Sequence, residues 1–163
     1  MAQNATSLAP KWLTPKEMKA WREYIIASRR LLEALDSDLA GHDLSMSDYE
    51  ILAQLSDAPD RRMRMSELAE IAMLSRSRLS HRMKVMEKAG WIKRESCPSD
   101  KRGSFAVMTQ KGWKAIVAAA PDHVESVRNR FIDHLSRSDQ AAVALIFEKV
   151  GAALRAGACE SEE

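Results

Sequence analysis

Basic and hydroxylic residues cluster on one predicted helix in the stretch SRSRLSHRMKVMEKAGW, residues 75–91. Its apolar residues Leu79, Met83 and Met86 recur at spacings of four and three, which is typical of an amphipathic helix that packs one face on a core. A solvated helix usually carries both signs of charge, yet no carboxylate lies between Ser75 and Met86. The one-sided charge predicts an anionic partner.

The polar face of this helix has the side-chain types that bind nucleic acid. An arginine guanidinium can contact guanine O6 and N7 together, whereas lysine and serine more often bind phosphates. We therefore predict base contacts by Arg76, Arg78 and His81. We predict phosphate contacts by Ser77, Ser80 and Lys84. The alternative is an ordinary solvated face, and Arg82, which lies beside the apolar stripe, fits a structural ion pair equally well.

A second basic group lies in the sequence SDKRGS, which is typical of a hairpin turn. The pattern places Asp100, Lys101 and Arg102 at the tip of that hairpin. An arginine there can enter the minor groove of DNA, where a narrow groove has strong negative potential. Asp100 would orient a basic side chain through an ion pair. The alternative is a hydrophilic turn with no binding role.

Catalytic and metal-binding patterns are weak in this sequence. The four histidines are dispersed, without the paired spacing of a zinc site. There is no glycine-rich phosphate loop and no nucleophile elbow. The two cysteines, Cys97 and Cys159, imply no disulfide framework and suit a reducing cytosol. We expect no enzyme, no metal and no cofactor.

The distribution of charge is more informative than its total. The chain has 163 residues, 45% of them hydrophobic, which is enough for a sizeable core, and its formal net charge is +2. Residues 61–102 carry net +7, whereas residues 1–60 carry −4 and residues 103–163 carry −1. No signal segment or membrane-spanning apolar run is apparent. We expect a cytoplasmic protein with a basic middle block.

Long amphipathic helices are predicted on both sides of this block. Their starts are predicted at Thr14, at Thr109, and at Ser136 or Ser138. Gly41 is predicted to end the first helix, and Pro121 to kink the second without breaking it. Their apolar stripes exceed what a small lobe can bury, so we expect burial in a partner subunit.

The middle of the chain has shorter elements. Ser47 is predicted to open one short helix and Ser66 the next, with RMRM as a small strand between them. A tight turn leads to the basic helix, which starts at Ser75 or Ser77 and ends at Gly90. WIKRES and SFAVMT are predicted to form a hairpin. Two short helices followed by a hairpin predict a winged helix-turn-helix in a mainly α fold with a small β-hairpin wing.

The stretch LSRSRLSHRMKVMEKAGWIKRESCPSDKRGSFAVMTQKG resembles the winged-helix core of the MarR family of bacterial transcriptional regulators. The Glu-Lys-Ala-Gly end of the basic helix, the Asp-x-Arg wing and the Met-Thr-x-x-Gly start of the next helix carry the resemblance, which extends over nearly the whole chain. Gly103 and His81 depart from the commoner residues of the family, which leaves the operator sequence open.

This resemblance implies a homodimer that binds a palindromic operator in double-stranded DNA, often as a repressor, with affinity altered by small anionic or phenolic ligands. It divides the chain into an N-terminal dimerisation helix (1–42), a winged helix-turn-helix (43–110) and C-terminal dimerisation helices (111–158). The candidate ligand-binding residues are Trp12, Trp21, Tyr24, Arg29 and His42, with Arg30 as the alternative to Arg29 for binding a carboxylate. Their alternative role is packing, since Trp21 belongs to the apolar stripe.

Cys97 raises a separate question, because some members of this family sense oxidants through a cysteine. It lies near Lys93, Arg94 and Lys101 in the sequence, and such neighbours can lower a thiol pKa. Oxidation of Cys97 would then perturb the wing. The alternative is a small residue that ends a strand.

The sequence as a whole predicts a ligand-responsive, DNA-binding transcriptional regulator. The alternative is a winged-helix module that docks an acidic protein. An enzyme that borrows this fold would need a catalytic domain, for which the chain has no room.

Overall fold

The computed structural model describes residues 10–72, 74–97 and 100–159, most of them helical. The helices are α1 (Pro15–Leu39), α2 (Met46–Asp57), α3 (Met65–Ile71), α4 (Arg76–Ala89), α5 (Gln110–Arg130) and α6 (Arg137–Cys159). The strands are β1 (Arg62–Arg64), β2 (Ile92–Cys97) and β3 (Asp100–Met108). They form an antiparallel sheet in the order β1-β3-β2. The predicted fold class, mainly α with a β-hairpin wing, is confirmed.

Side-chain caps fix the starts of the long helices. In α1 the Glu17 N–H donates to Thr14 Oγ1 at 3.3 Å, and the Thr14 N–H donates to Glu17 Oε2 at 2.7 Å. The Asp139 N–H donates to Ser136 Oγ at 3.2 Å before α6. Each bond satisfies an amide that has no partner within its helix. The predicted starts at Thr14 and Ser136 are confirmed, the latter in preference to Ser138.

The predicted starts of the two short helices were wrong. Ser45, not Ser47, caps α2, because the Asp48 N–H donates to Ser45 Oγ at 3.2 Å and the Ser45 N–H donates to Asp48 Oδ2 at 3.1 Å. Ser66 lies inside α3. At the start of this helix the Arg64 N–H donates to Glu67 Oε2 at 3.1 Å. Before α2, Ser45-x-x-Asp48 and Ser47-x-x-Glu50 are overlapping capping patterns, and spacing alone does not choose between them. Before α3 the cap position is Arg64, which is not a usual N-cap residue, so the residue types favour Ser66 instead.

The end of α1 also differs from the prediction. Gly41 does not end the helix in a left-handed conformation but lies inside a 3-10 turn, Ala40–His42. The left-handed residue is Asp43, with φ 59°. An aspartate tolerates this conformation better than most residues with a Cβ do.

The core lies where α2, α3, α4 and the sheet meet the end of α1 and the start of α5. Its most deeply buried large residues, each at most 1% exposed, are Leu39, Ile51, Leu52, Leu55, Leu68, Leu79, Met83 and Met86. The three apolar residues predicted for the inner face of the basic helix are among them. The apolar face of α4 therefore packs on the core as its spacing predicted.

Polar contacts join α1 to α5. Arg130 donates to both carboxylate oxygens of Asp38, from Nε at 2.8 Å and from Nη2 at 2.9 Å, and Ser126 also donates to Asp38. Hydrogen bonds from Arg130 and Ser126 lower the pKa of Asp38. Helix α5 continues unbroken through Pro121. The kink expected there stays a prediction.

Apolar side chains remain uncovered on α1 and α6. Those of α6 are between 45% and 70% exposed and comprise Leu145, Ile146, Phe147, Val150 and Leu154. On α1, Trp21 and Leu32 are each about half exposed. A single chain thus leaves these stripes in water. Over the residues described, no helix combines the length and apolarity needed to cross a bilayer.

Candidate nucleic-acid interface

Both ends of α4 are fixed by local bonds. The Arg78 N–H donates to Ser75 Oγ at 3.3 Å, so Ser75 is the cap, in preference to Ser77. Gly90 ends the helix with φ 78°, and the Trp91 N–H donates to Met86 O at 3.0 Å. Glycine adopts this left-handed conformation without strain from a Cβ.

The outer face of α4 is exposed and basic. The predicted DNA-contacting residues that it brings together in the open are Ser77, Arg78, His81 and Lys84. Lys88 extends the same face by one turn. The side chain of Arg76 lies outside what the structure describes. The acidic residue Glu87 lies on the flank of the helix, so it does not neutralise this face.

Arg82 has a structural role, which the sequence left as one of two interpretations. Its guanidinium donates to the carboxylate of Asp48 and to the hydroxyl of Ser45. The Asp48 side chain is only 4% exposed and that of Arg82 is 28% exposed. This pair ties the middle of α4 to the first turn of α2.

A second ion pair ties α4 to the wing. Arg94 Nε on β2 lies 3.3 Å from Glu87 Oε2, and Arg94 Nη2 donates to Ser80 O at 2.9 Å. Ser80, a predicted phosphate contact, is half-buried on this flank. Its backbone carbonyl is therefore engaged with the wing.

The start of α5 holds the C-terminal end of α4. Lys111 Nζ donates to Ala89 O at 2.6 Å, and Thr109 Oγ1 donates to Gly90 O at 2.7 Å while accepting from the Gly112 N–H at 3.1 Å. A Cβ on Gly112 would lie 2.1 Å from Trp91 O, so only glycine fits. These contacts explain the Met-Thr-x-x-Gly motif: it packs α5 closely against the end of the basic helix.

The wing differs in detail from its prediction. Asp100, Lys101 and Arg102 were predicted to form the hairpin tip, but their backbone belongs to β3, with Asp100 paired to Cys97. The pairing shifts between Ser96 and Cys97, where the β3 strand has extra residues. The strand therefore starts before the predicted turn ends. The side chains of residues 100–102 lie outside the described residues, and so do residues 98 and 99.

Arginines on and before β1 were missed by the sequence reasoning. The Arg61 guanidinium lies 3.7 Å from the centre of the Trp113 ring, and those of Arg62 and Arg64 lie 3.9 and 5.3 Å from the Phe105 ring. Such distances allow cation–π attraction. The sequence signal was the run RRMR, but its aromatic partners lie more than 40 residues away. Arg62 and Arg64 thus pack on the wing sheet, whereas Arg61 packs on the start of α5.

The candidate ligand residues do not meet within one chain. Trp21 and Tyr24 are adjacent, with ring centroids 6.1 Å apart, and Trp12 is 82% exposed before α1. His42 lies beyond the other end of α1, where its Nε2 is 2.8 Å from Asp122 Oδ2. At about 1.5 Å per residue, more than 25 Å of helix separates it from Trp21. Arg29 is exposed between them.

A tilted pair of rings lies between α2 and α5. The rings of Tyr49 and His123 have centroids 4.1 Å apart. His123 Nδ1 is buried and has no hydrogen-bond partner among the described residues. Burial lowers the pKa of His123 and raises that of Tyr49. Protonated His123 is thus unfavourable in the folded chain.

This burial predicts a pH-dependent stability. Because the folded chain holds the pKa of His123 below its ordinary value of 6.5, the unfolded chain binds the proton first as pH falls. The free energy of unfolding should therefore decline from about pH 6.5 down to the lowered pKa. His123→Phe keeps a ring against Tyr49 but does not titrate. Urea titrations from pH 8 to pH 5 should show a smaller decline for this variant, and parallel curves would contradict the prediction.

Cys97 is buried at the end of β2, 5% exposed. This position suits the simpler of its two interpretations, a small residue that ends a strand. Across the described parts of the chain, no group of three or more His, Cys, Asp or Glu side chains is arranged to hold a metal ion.

A short helix, a turn, a second helix with one buried and one basic face, and a following hairpin define the class of winged helix-turn-helix proteins. The sequence model of the MarR family matches residues 42–103. The chain is also similar to HosA, a transcriptional regulator of Escherichia coli O111:H-, with 32% identity over 98 residues, which are 60% of this chain and 70% of HosA.

Two solved structures from Streptomyces coelicolor extend the similarity to most of the chain. AbsC, a MarR family transcriptional regulator, is 44% identical with a TM-score of 0.88, covering 90% of this chain and 99% of AbsC. Sco3205, a MarR family regulator solved in complex with DNA, is 42% identical with a TM-score of 0.85, covering 87% of this chain and 90% of Sco3205. This chain belongs to the MarR family of transcriptional regulators. Its matched relatives are regulators rather than enzymes.

Proposed function

We propose that this protein is a homodimeric, sequence-specific DNA-binding regulator that represses transcription from a palindromic operator. The observation that carries the proposal is the outer face of α4, which is exposed and basic while its inner face is fully buried. A helix held in this way presents cations and donors to the major groove. The DNA complex of the similar regulator Sco3205 supports the same partner.

In this proposal, residues 43–110 read the operator and the flanking helices join two chains. The exposed apolar stripes of α1 and α6 support a dimer, because burying them in a second copy removes them from water. The two α4 helices would lie about 34 Å apart, so that each enters one of two successive major grooves. Base contacts are assigned to Arg76, Arg78 and His81. Phosphate contacts are assigned to Ser77, Ser80 and Lys84.

We also propose that a small anionic or phenolic ligand alters operator affinity. Trp12, Trp21, Tyr24, Arg29 and His42 stay the candidate residues, and the distance between Trp21 and His42 means that they would form separate parts of a site or meet across the dimer. A ligand acts by binding more tightly to one spacing of the two α4 helices than to the other. A screen of small anionic and phenolic compounds for release of fluorescently labelled operator from the protein would identify such a ligand.

Selection of random DNA duplexes by the purified protein tests the function, followed by a salt titration on the best sequence. We expect a palindromic motif. A plot of log affinity against log salt concentration should be linear, with a slope of about −0.9 for each phosphate contacted. Bound duplexes without an enriched motif would contradict sequence-specific reading. Weak binding with no enriched motif and a shallow salt dependence would instead favour docking of an acidic protein.

Replacing Arg102 tests the wing. Arg102→Ala should weaken operator binding by roughly 1–3 kcal/mol and relax sequence preference at an A·T-rich flank, if the side chain enters the minor groove. Arg22→Ala removes the same charge from the exposed surface of α1 and serves as the control. Fluorescence anisotropy with both variants measures the difference. Equal affinities would mean that the wing is only a connecting hairpin.

A further inference from the structure

One apolar residue interrupts the basic face of α4. Val85 is 42% exposed and lies between the exposed residues Lys84 and Lys88, one helical turn after His81. Val85 follows Arg78 by seven residues, which is about two turns at 3.6 residues per turn, so the two side chains leave nearly the same side of the helix. Its isopropyl group thus lies on the face assigned to DNA.

Val85 adds little to the fold of the chain. The core contacts of α4 come from the opposite face, where Leu79, Met83 and Met86 are at most 1% exposed. Valine has a lower helix propensity than lysine or alanine, so a helix surface that only met water would be better served by either. In contrast to the exposed apolar residues of α1 and α6, Val85 has cationic neighbours and does not form part of an apolar stripe.

We propose that Val85 determines sequence specificity by contacting the C5-methyl group of a thymine in the major groove. The inference rests on the proposed function. That methyl group is the apolar feature which the major groove offers, and small apolar side chains contact it. A β-branched side chain in a helix has one strongly preferred rotamer, so the isopropyl group is held in place before DNA binds. The thymine lies at a different base pair from the one that Arg78 contacts, because two helical turns separate the residues.

Deoxyuridine provides the sharpest test, since it differs from thymidine by this methyl group alone. Each thymine of the selected half-site is replaced in turn by deoxyuridine, in both halves of the palindrome, and affinity is measured for the wild type and for Val85→Ala. At one position the wild type should lose roughly three- to fourfold per half-site, the effect of one methyl-sized apolar contact. Val85→Ala, whose side chain ends at Cβ and so falls short of the methyl group, should bind the thymine operator more weakly and lose most of the sensitivity to that replacement.

Ile71→Ala is the matched control, because Ile71 is similarly exposed, at 46%, but lies on α3. It should keep the full sensitivity to deoxyuridine. Circular dichroism confirms that each variant is folded. A selected half-site without thymine, a wild type insensitive at every thymine, or equal sensitivity in Val85→Ala would each overturn the inference while leaving DNA binding intact. Failure of the wild type to bind any duplex would instead overturn the proposed function, and this inference with it.

Discussion

Replacing Arg82 with methionine is expected to lower the free energy of unfolding by about 3 kcal/mol, since it leaves the Asp48 carboxylate buried without its ionic partner. Asp48 is only 3% exposed, so water does not replace the guanidinium. The lower end of the range for buried pairs applies, because Arg82 itself is partly exposed and Asp48 keeps its bonds to Ser45. Methionine retains most of the apolar stem, so the change reports mainly on the lost charge.

Lys84→Met is the control for this experiment. Lys84 lies two residues further along the same helix and is exposed, so its replacement should change the free energy of unfolding by no more than about 0.5 kcal/mol. Urea unfolding with an unchanged slope would separate the two variants by their midpoints. Similar midpoints would mean that the Asp48–Arg82 pair does not hold α4 to α2.

The same comparison separates stability from recognition. At a temperature where both variants are folded, Lys84→Met should reduce the salt dependence of DNA binding, because a phosphate contact is lost. Arg82→Met should leave that slope nearly unchanged, since the Arg82 guanidinium is already bound to Ser45 and Asp48. The two roles that the sequence left open for Arg82 can therefore be told apart. A DNA contact would change the salt dependence of binding, whereas a structural ion pair changes the free energy of unfolding.

Periodicity made the basic helix predictable. The spacing of Leu79, Met83 and Met86 located its buried face, because such signals are local. Its end was predicted at Gly90, and its start was narrowed to Ser75 or Ser77. The exposed and basic opposite face followed directly. Val85 was not among the predicted contacts because that prediction considered only basic and hydroxylic side chains.

Contacts between distant segments were not predictable in the same way. Arg82 meets Asp48 across 34 residues, and Arg62 meets Phe105 across the sheet. Each pairing depends on how helices and strands pack, and many acidic or aromatic residues would satisfy the same arginine. The wing had a similar limit, since Asp100 has turn propensity but its pairing with Cys97 draws it into β3.

Introducing a carboxylate into the apolar stripe of α1 is expected to separate the proposed dimer. Leu32 is 52% exposed in the single chain, so Leu32→Glu should not disturb the core, whereas a glutamate buried in a subunit interface is strongly unfavourable. Sedimentation should give the 18.3 kDa chain mass for the variant and twice that mass for the wild type. Ser37→Glu adds one carboxylate to an exposed polar position of α1 and should remain dimeric.

Loss of the dimer should have a large effect on the operator. In a dimer, binding of the first α4 helix brings the second to a high effective concentration at its half-site, which commonly raises affinity by 10²–10⁴-fold. A folded Leu32→Glu monomer should therefore bind the palindrome more weakly than the wild type by a factor of that size. It should bind a duplex with one half-site about as well as it binds the complete palindrome. If a demonstrated monomer kept full affinity, one α4 helix and one wing would suffice for recognition, and the exposed stripes of α1 and α6 would require a different partner.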